Sequence, residues 1–150
     1  MDQATREFVQ HIIEHARDLT LATIRPDGYP QATTVSYAND GLTIYIGIGK
    51  DSQKANNIRH CNKVSLTINE EYDDWKQIKG VSMGALAEIL TDAGEIRHAT
   101  ELMLKRYPQM EEWVQTDNPT DVVLLKVTPQ VISVLNYEKG FGHTELVTAP

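Results

Sequence analysis

The sequence predicts a mainly β protein in which six to seven antiparallel strands form a barrel and the helices lie at its periphery. Short runs rich in Val, Ile and Thr recur along the chain, and turn residues separate most of them. Patterns typical of helices occur only near the start, in the middle and late in the sequence. With 150 residues, 41% hydrophobic and 23% charged, the chain is expected to form one domain over residues 1–150.

The first half of the chain is expected to contain one amphipathic helix and then three strands. These elements cover residues 4–16, 19–25, 31–37 and 42–49. Pro26-Asp27-Gly28 and Asn39-Asp40-Gly41 have the composition of tight turns, because proline presets φ and glycine tolerates positive φ. The short turns predict a meander, in which the three consecutive strands pair with each other.

A second helix is expected to follow the third strand directly. Asp51 or Ser52 can cap its first turn with a side-chain oxygen, and the apolar spacing ends near Asn62. Later strands are expected over residues 64–68, 81–90, 122–127 and 131–135. The last two are separated by Thr128-Pro129 in this interpretation.

The late part of the sequence holds the remaining helical patterns. Asp92 with Glu95 resembles a capping box, which starts a helix that ends at Tyr107 before Pro108. A second helical stretch is expected around Met110, Trp113 and Val114. The tail over residues 138–150 has no period and is expected to be mobile unless a partner orders it.

Composition excludes several classes of protein. A formal net charge of −7 argues against a nonspecific nucleic-acid binder, whose affinity comes from clustered cations. The single cysteine, Cys61, cannot form an internal disulfide, so a reducing compartment is expected. The first apolar cluster is too short and too interrupted for a signal peptide or membrane span. The protein is therefore expected to be cytoplasmic, with no membrane and no nucleic-acid partner.

The junction between the third strand and the second helix is the most informative segment. Glycine at a strand end lets a ligand approach the backbone, and a helix start offers free N–H groups with a partial positive charge. The junction is also basic, and its cations are Lys50, Lys54, Arg59 and Lys63. The pattern predicts a phosphate site near Ser52 and Lys54. The alternative interpretation is an ordinary strand-to-helix junction with solvated lysines.

Two nucleotide-binding motifs are excluded at this junction. A P-loop needs Ser or Thr directly after its Gly-Lys, whereas Asp51 follows Gly49-Lys50. A dinucleotide fingerprint needs a third glycine, whereas Gly47-Ile48-Gly49 continues into Lys50-Asp51-Ser52. Neither nucleotide-binding fold is expected.

The order of the motifs resembles a known family. The sequence reads Leu21-Ala-Thr-Ile-Arg-Pro-Asp-Gly28, Gly41-Leu-Thr-Ile-Tyr-Ile-Gly47, Ser52-x-Lys54-Ala-x-Asn57-Ile58, Val64-Ser-Leu66 and Gly84-Ala-Leu-Ala-Glu88-Ile89. In this order the chain is similar to the pyridoxamine 5'-phosphate oxidase-like FMN-binding split barrels, over most of residues 5–137.

The resemblance implies a split barrel and a homodimer with two FMN sites at the subunit interface. The residues that it assigns to the cofactor are Thr33, Thr34, Val35, Gly47, Ile48, Lys50, Ser52, Lys54, Trp75 and Gln77. Ser52 and Lys54 would meet the phosphate, and the segment around Trp75 to Gly80 would come from the other subunit. Where the oxidase has a phosphate-binding arginine, Thr33 stands here, which argues against activity on pyridoxamine phosphate.

Several single residues have a functional and an ordinary interpretation. His11 and His15, four apart, have metal-compatible spacing, but they lie on the polar face of a helix without a second motif, so no metal site is expected. Cys61 is expected to be a small packed side chain. Phe141-Gly142-His143 is either an arm that reaches over a partner's active site or part of a frayed tail.

The leading functional hypothesis is an FMN-dependent oxidoreductase that acts on a small molecule, with NADH or NADPH as a candidate reductant. The sequence contains no convincing set of nucleophile, base and orienting acid, which suits a reaction that the cofactor itself carries out. No catalytic residue is assigned. The alternatives are a noncatalytic flavin, deazaflavin or haem binding protein, and a cofactor-free dimeric barrel used in protein interaction.

Overall fold

The computed structural model describes residues 1–112 and 121–149, and within them it contains three long α-helices and an eight-stranded sheet. The helices are α1 (Gln3–His15), α2 (Gln53–His60) and α3 (Ala93–Arg106). The strands are β1 (Leu19–Ile24), β2 (Pro30–Val35), β3 (Ala38–Asp40), β4 (Thr43–Gly49), β5 (Lys63–Asn69), β6 (Lys79–Ile89), β7 (Val122–Asn136) and β8 (Thr144–Thr148).

The sheet is antiparallel throughout and has the architecture of a split barrel. Its strand order is β2-β1-β5-β6-β7-β4-β3, and β8 pairs with β7. The two ends of this order, β2 and β3, are separated by only two residues of chain, so the sheet curves back on itself there. Its inner side carries the main hydrophobic core, which α1 and α2 also enter. The predicted mainly β barrel with peripheral helices is confirmed.

The predicted meander is wrong. The strand over 42–49 does not pair with β2, because the turn at Gly41, where φ is +59°, joins it to the short strand β3. On its other side β4 pairs with β7, from Ile44 opposite Val127 to Gly49 opposite Val122. The Asn39-Asp40-Gly41 turn therefore leads β4 away from β2 to the far end of the strand order.

The prediction of two strands separated at Thr128-Pro129 is also wrong, because β7 is continuous. A bulge lies at this point: Gly84 is opposite Val131 and Ala85 is opposite Pro129, so Gln130 is the extra residue. Pro129 lies between the section of β7 that pairs with β4 and the section that pairs with β8. Its missing N–H therefore removes no hydrogen bond to β4 or β8.

The tail contains regular structure that the sequence did not predict. A 3-10 turn covers Tyr137–Lys139, and β8 then pairs with β7 from Leu135 opposite Thr144 to Val131 opposite Thr148. The expected helical stretch around Met110, Trp113 and Val114 lies mostly outside the described residues, as does Trp113 itself. The other predicted helices are confirmed, with Asp2, Ser52 and Asp92 as their N-caps.

A clasp around Tyr37 holds the linker between β2 and β3. The ring of Tyr37 is fully buried, and its hydroxyl donates to the carbonyl of Ile13 at the end of α1. The guanidinium of Arg106 lies 4.4 Å from the ring centroid of Tyr37 and donates to the carbonyl of Ala16. The hydroxyl of Tyr107 bonds the backbone of Tyr37. Burial raises the pKa of Tyr37, so its hydroxyl keeps its proton.

Arg106→Ala is expected to lower the free energy of unfolding by about 1–3 kcal/mol, because carbonyls at the end of α1 lose a charged donor and the Tyr37 ring loses its cation. Thermal or urea unfolding measures the change. Arg97→Ala, which removes an exposed arginine from the same helix, is the control. Equal stability of the two variants would contradict a stabilising role for the clasp.

Candidate functional site

The junction of β4 and α2 has the predicted local structure. Ser52 is the N-cap of α2: its hydroxyl accepts from the amide of Ala55 at 3.2 Å and donates to the carbonyl of Gly49 at 2.7 Å. That hydroxyl has no second proton to give, so a bound anion would take its hydrogen bonds from backbone amides and cations. The first amides of the helix, those of Gln53 and Lys54, have no carbonyl partner among the described residues.

The cations at this junction are available to a ligand. Among the described residues, no carboxylate lies within ion-pair distance of Lys50, Lys54, Arg59 or Lys63. Lys54 is half-buried at the first turn of α2, beside the amides described above. A partial positive charge at the helix start and an unpaired ammonium group therefore lie together.

Asn57 joins the junction to β1 and β2. The side chain is fully buried, and its amide nitrogen donates to the Thr23 hydroxyl at 2.9 Å and to Gln31 Oε1 at 3.1 Å. Its carbonyl oxygen accepts from Gln53 Nε2 at 2.7 Å. This network fixes α2 against the strand pair and was not among the predicted site residues. The only signal in the sequence was the Asn of the Ser52-x-Lys54-x-x-Asn57 motif.

The three predicted residues on β2 do not all face the same way. Gln31, Thr33 and Val35 lie on the inner side with Thr23 and Leu21, whereas Thr34 lies on the outer side. The hydroxyl of Thr33 is buried and has no hydrogen-bond partner. Because a buried hydroxyl is normally paired, this group is a candidate contact for a ligand at the corner between β2 and α2.

The two predicted residues on β4, Gly47 and Ile48, differ in which of their atoms a ligand could contact. Ile48 is 5% exposed and its side chain belongs to the core, so only its backbone could meet a ligand. Gly47 is exposed, and an added Cβ would lie 3.7 Å from the nearest atom of Leu124. The strand is thus open on its outer side at Gly47.

Within one chain, Trp75 and Gln77 lie far from the junction of β4 and α2. They form a 3-10 turn just before the first residue of β6, whereas the end of β4 lies beside the last residues of β6 and the start of β7. Since β6 has 11 residues, the two places are about 30 Å apart along the strand. One chain therefore does not bring Trp75 and Gln77 together with Ser52 and Lys54.

Trp75 belongs to an exposed aromatic group. Its ring centroid lies 6.2 Å from that of Phe141, which lies 5.3 Å from that of Tyr137. Trp75 is 68% exposed and Phe141 is 72% exposed. Among the large apolar side chains of the described residues, these are unusually open to solvent.

The outer side of the sheet contains a surface without charge, which we call the neutral face. Two neighbouring rows of residues cross six strands in register, and every member is small or apolar. The first row is Ala32, Ala22, Ser65, Gly84, Val131 and Thr148, and the second is Thr34, Thr20, Thr67, Ser82, Ser133 and Leu146. The neutral face is about 24 Å wide, since neighbouring strands are about 4.8 Å apart. The sequence alone did not predict the neutral face, because the register of the strands decides which residues lie side by side in the two rows.

Two surface cavities lie elsewhere on the chain. The larger, of about 580 Å³, is lined by His11, His15, Ala16, Arg17, Asp18, Asn69, Glu70 and Glu71. The smaller, of about 230 Å³, is lined by Ala4, Thr5, Phe8, Val134, Asn136, Lys139, His143 and Glu145. Neither is lined by a predicted cofactor residue.

The donor set at the junction suits a phosphate-bearing cofactor. Free amides and Lys54 can hold an anion, and the unpaired Thr33 hydroxyl can bond a polar edge of the ligand.

The described residues contain no helix long and apolar enough to cross a membrane.

Comparison with known proteins gives the family. The model of the pyridoxamine 5'-phosphate oxidase family matches residues 1–136. General stress protein 26 of Bacillus subtilis (strain 168) is 24% identical over 135 residues, which cover 89% of this chain and 90% of that protein.

Solved structures agree with this assignment at the level of the fold. A haem binding protein from Mycobacterium smegmatis matches with a TM-score of 0.82 and 19% identity, over 99% of this chain and 59% of that one. A conserved hypothetical protein from Mycobacterium tuberculosis matches with a TM-score of 0.78 and 25% identity, over 99% of this chain and 94% of that one. With a family model that covers nearly all of its length, the chain belongs to the pyridoxamine 5'-phosphate oxidase family.

Proposed function

We propose that the protein binds FMN between two copies of the chain and acts as an oxidoreductase on a small organic molecule. The observation that carries this proposal is the start of α2, where unpaired amides lie beside Lys54. Asn57 of the same helix bonds Gln31, and the unpaired Thr33 hydroxyl is two residues further along the same face of β2. When bound, the flavin would supply hydride transfer, so the chain needs to bind and orient it and to exclude water.

In this proposal the phosphate lies at the start of α2. The amides of Gln53 and Lys54 would donate to it, and the Lys54 ammonium group would neutralise part of its charge. Asn57 would act indirectly, because its hydrogen bonds to Thr23 and Gln31 hold α2 at a fixed distance from β2. The site is therefore held by strands and a helix rather than by a free loop.

The second copy of the chain is part of the proposed site. Two acidic chains of net charge −7 repel each other. A contact through the neutral face would keep like charges of the two copies from lying directly against each other. A two-fold axis across the strands would exchange the two ends of β6. The Trp75 end of one copy would then lie over the Lys54 end of its partner, and Trp75 and Gln77 would act across the interface.

Visible absorption spectroscopy of the purified protein tests the proposed function. The expected result is that added FMN binds with its fluorescence quenched, and that NADH or NADPH bleaches the bound flavin bands. A bound flavin that no reductant bleaches would favour a noncatalytic carrier. A colourless protein that does not bind added FMN would favour a cofactor-free dimeric barrel.

Lys54→Ala is expected to weaken FMN binding by about 1–3 kcal/mol, because a charge-assisted contact to the phosphate is lost. Fluorescence titration with FMN measures the affinity, and riboflavin, which lacks the phosphate, should bind both forms equally. Lys105→Ala, at an exposed position of α3, is the matched control. Unchanged FMN affinity in Lys54→Ala would remove this lysine from the site.

Haem is the second candidate ligand, and one feature favours it. The ring of exposed Phe141 lies beside those of Tyr137 and Trp75, and these flat apolar rings would suit a porphyrin. His143, whose Nε2 lies 3.0 Å from Glu145 Oε1, follows two residues after Phe141 and is the candidate ligand of the iron. The similar fold of the haem binding protein from Mycobacterium smegmatis supports testing it. Titration with haemin, followed by the Soret band, should show binding that His143→Ala removes if haem is the ligand. FMN affinity should then be low.

A further inference from the structure

The exposed aromatic group formed by Trp75, Tyr137 and Phe141 does not contribute to the packing of the fold. None of the three rings belongs to either hydrophobic cluster of the described residues. Large apolar side chains that lie together in solvent typically mark a surface where a ligand or a partner binds. The aromatic group therefore needs an occupant.

Two separate parts of the chain hold this group together. Trp75 precedes β6, and Tyr137 directly follows β7. The amide of Tyr137 donates to the carbonyl of Ile78 at 2.9 Å, and Lys79 Nζ lies 3.0 Å from Glu138 Oε1. These contacts fix the two parts against each other, so the rings are in place before a ligand arrives.

Phe141 is presented to solvent by a tight turn. The amide of His143 donates to the carbonyl of Gly140 at 3.0 Å, and Gly142 has a φ of +82°, which glycine adopts at the third position of such a turn. The Phe141 ring lies against that of Tyr137 with the planes 65° apart, an edge-to-face arrangement. Tyr137 thus supports the ring and leaves most of it open to solvent.

The distance between Trp75 and Phe141 decides how a ligand could lie on them. Their ring centroids are 6.2 Å apart and the planes differ by 34°. A ring inserted between two others needs about 3.5–4.0 Å on each side, or about 7–8 Å in all. A ligand would therefore stack on the open faces of the two rings, where a flat molecule makes more contact than a puckered one.

The charges beside the aromatic group do not favour an anion. Residues 73–79 and 137–145 contain four carboxylates and three lysines, so their formal net charge is −1 with His143 neutral. Lys139 Nζ lies 3.5 Å from Glu145 Oε1, and Lys79 is paired with Glu138 as described above. A phosphate or carboxylate group would meet a net negative surface, and an uncharged ligand avoids this repulsion.

We infer that Trp75 and Phe141 form the stacking site for an uncharged, planar aromatic substrate. This inference rests on the proposed function, in which this end of one copy lies over the Lys54 end of its partner and so over the flavin. The substrate would lie between the flavin and the two rings, and stacking would hold it in the position that the reaction needs.

Calorimetric titration of the FMN-loaded protein tests this site with three related probes. The expected ligand is 2-naphthol, which is flat and uncharged. Decahydro-2-naphthol is uncharged but puckered, and naphthalene-2-sulfonate is flat but anionic. Both should bind more weakly than 2-naphthol, the first because it cannot stack and the second because of its charge.

Phe141→Ala should weaken the binding of 2-naphthol about tenfold, since the loss of about 1.4 kcal/mol of stacking has that effect. Phe141→Tyr, which keeps the ring, should bind the probe as the wild type does. Tyr72→Ala is the matched control, because it removes another exposed ring from the loop before Trp75. It should also bind as the wild type does.

FMN titration of the same proteins separates this inference from the proposed function. If FMN binds but 2-naphthol binds no more tightly than its puckered analogue, the inference is overturned and the proposed function stands. The same holds if Phe141→Ala binds 2-naphthol as tightly as Tyr72→Ala. A wild type that does not bind FMN would overturn both.

Discussion

Replacing Asn57 with alanine is expected to lower the free energy of unfolding by about 2–4 kcal/mol and to weaken cofactor binding in the fraction that stays folded. The buried hydroxyl of Thr23 and the side chain of Gln31 lose their donor, and a small cavity forms inside the barrel. Urea unfolding monitored by circular dichroism measures the loss of stability.

Two further variants make this expectation specific. Asn57→Asp keeps the shape of the side chain but removes both N–H donors, so it should destabilise the protein about as much as alanine does. Asn56→Ala changes the exposed neighbour, whose amide oxygen only accepts from Arg59 at 3.4 Å, and should have little effect. If Asn57→Ala were as stable as Asn56→Ala, the buried network would not hold α2 in place.

Val131→Glu is expected to separate the proposed dimer. The residue is 41% exposed in the single chain, so a glutamate there leaves the fold intact. In the dimer the neutral face would bury two carboxylates close to the two-fold axis, which opposes association by several kcal/mol. Size-exclusion chromatography with light scattering should show a dimer for the wild type and a monomer for the variant.

The loss of the dimer should also remove the cofactor site. FMN affinity is expected to fall at least tenfold in Val131→Glu although no cofactor residue has changed, because about 1.4 kcal/mol of lost contact to the partner already has that effect. Ala93→Glu, which adds the same charge at the exposed start of α3, is the control. A variant that remains dimeric would show that the copies do not meet on the neutral face.

The local parts of this structure could be predicted from the sequence. Ser52 and Asp92 cap their helices within three residues of chain, so their patterns contain all the information that is needed. The pairing of β4 was predicted wrongly because its partner, β7, comes much later in the sequence and no local turn indicates it. Pro129 also misled the prediction, since its tolerance inside β7 depends on which strands lie beside it.

Strand β8 was missed because its pattern is inverted. Leu146 is 73% exposed, whereas Glu145 is half-buried and bonded to His143 at 3.0 Å, a contact that lowers the pKa of the carboxyl group. A polar residue facing inward and a leucine facing outward do not give the usual alternation of a strand. In the candidate site, the Ser52 cap and the position of Lys54 were predictable, whereas the Asn57 network and the partnerless Thr33 hydroxyl depend on tertiary packing.

The central place of β7 has a consequence for how the molecule is made. As the ribosome releases the chain, β1, β2 and β5 can associate early, but β4 has nothing to pair with on its open side until residues 122–127 emerge. Because β6 and β4 are joined only through this late strand, the pair of β3 and β4 cannot join the rest of the sheet in the nascent protein until β7 is made. A stop codon before β7 would therefore give an open, aggregation-prone fragment rather than a smaller working barrel.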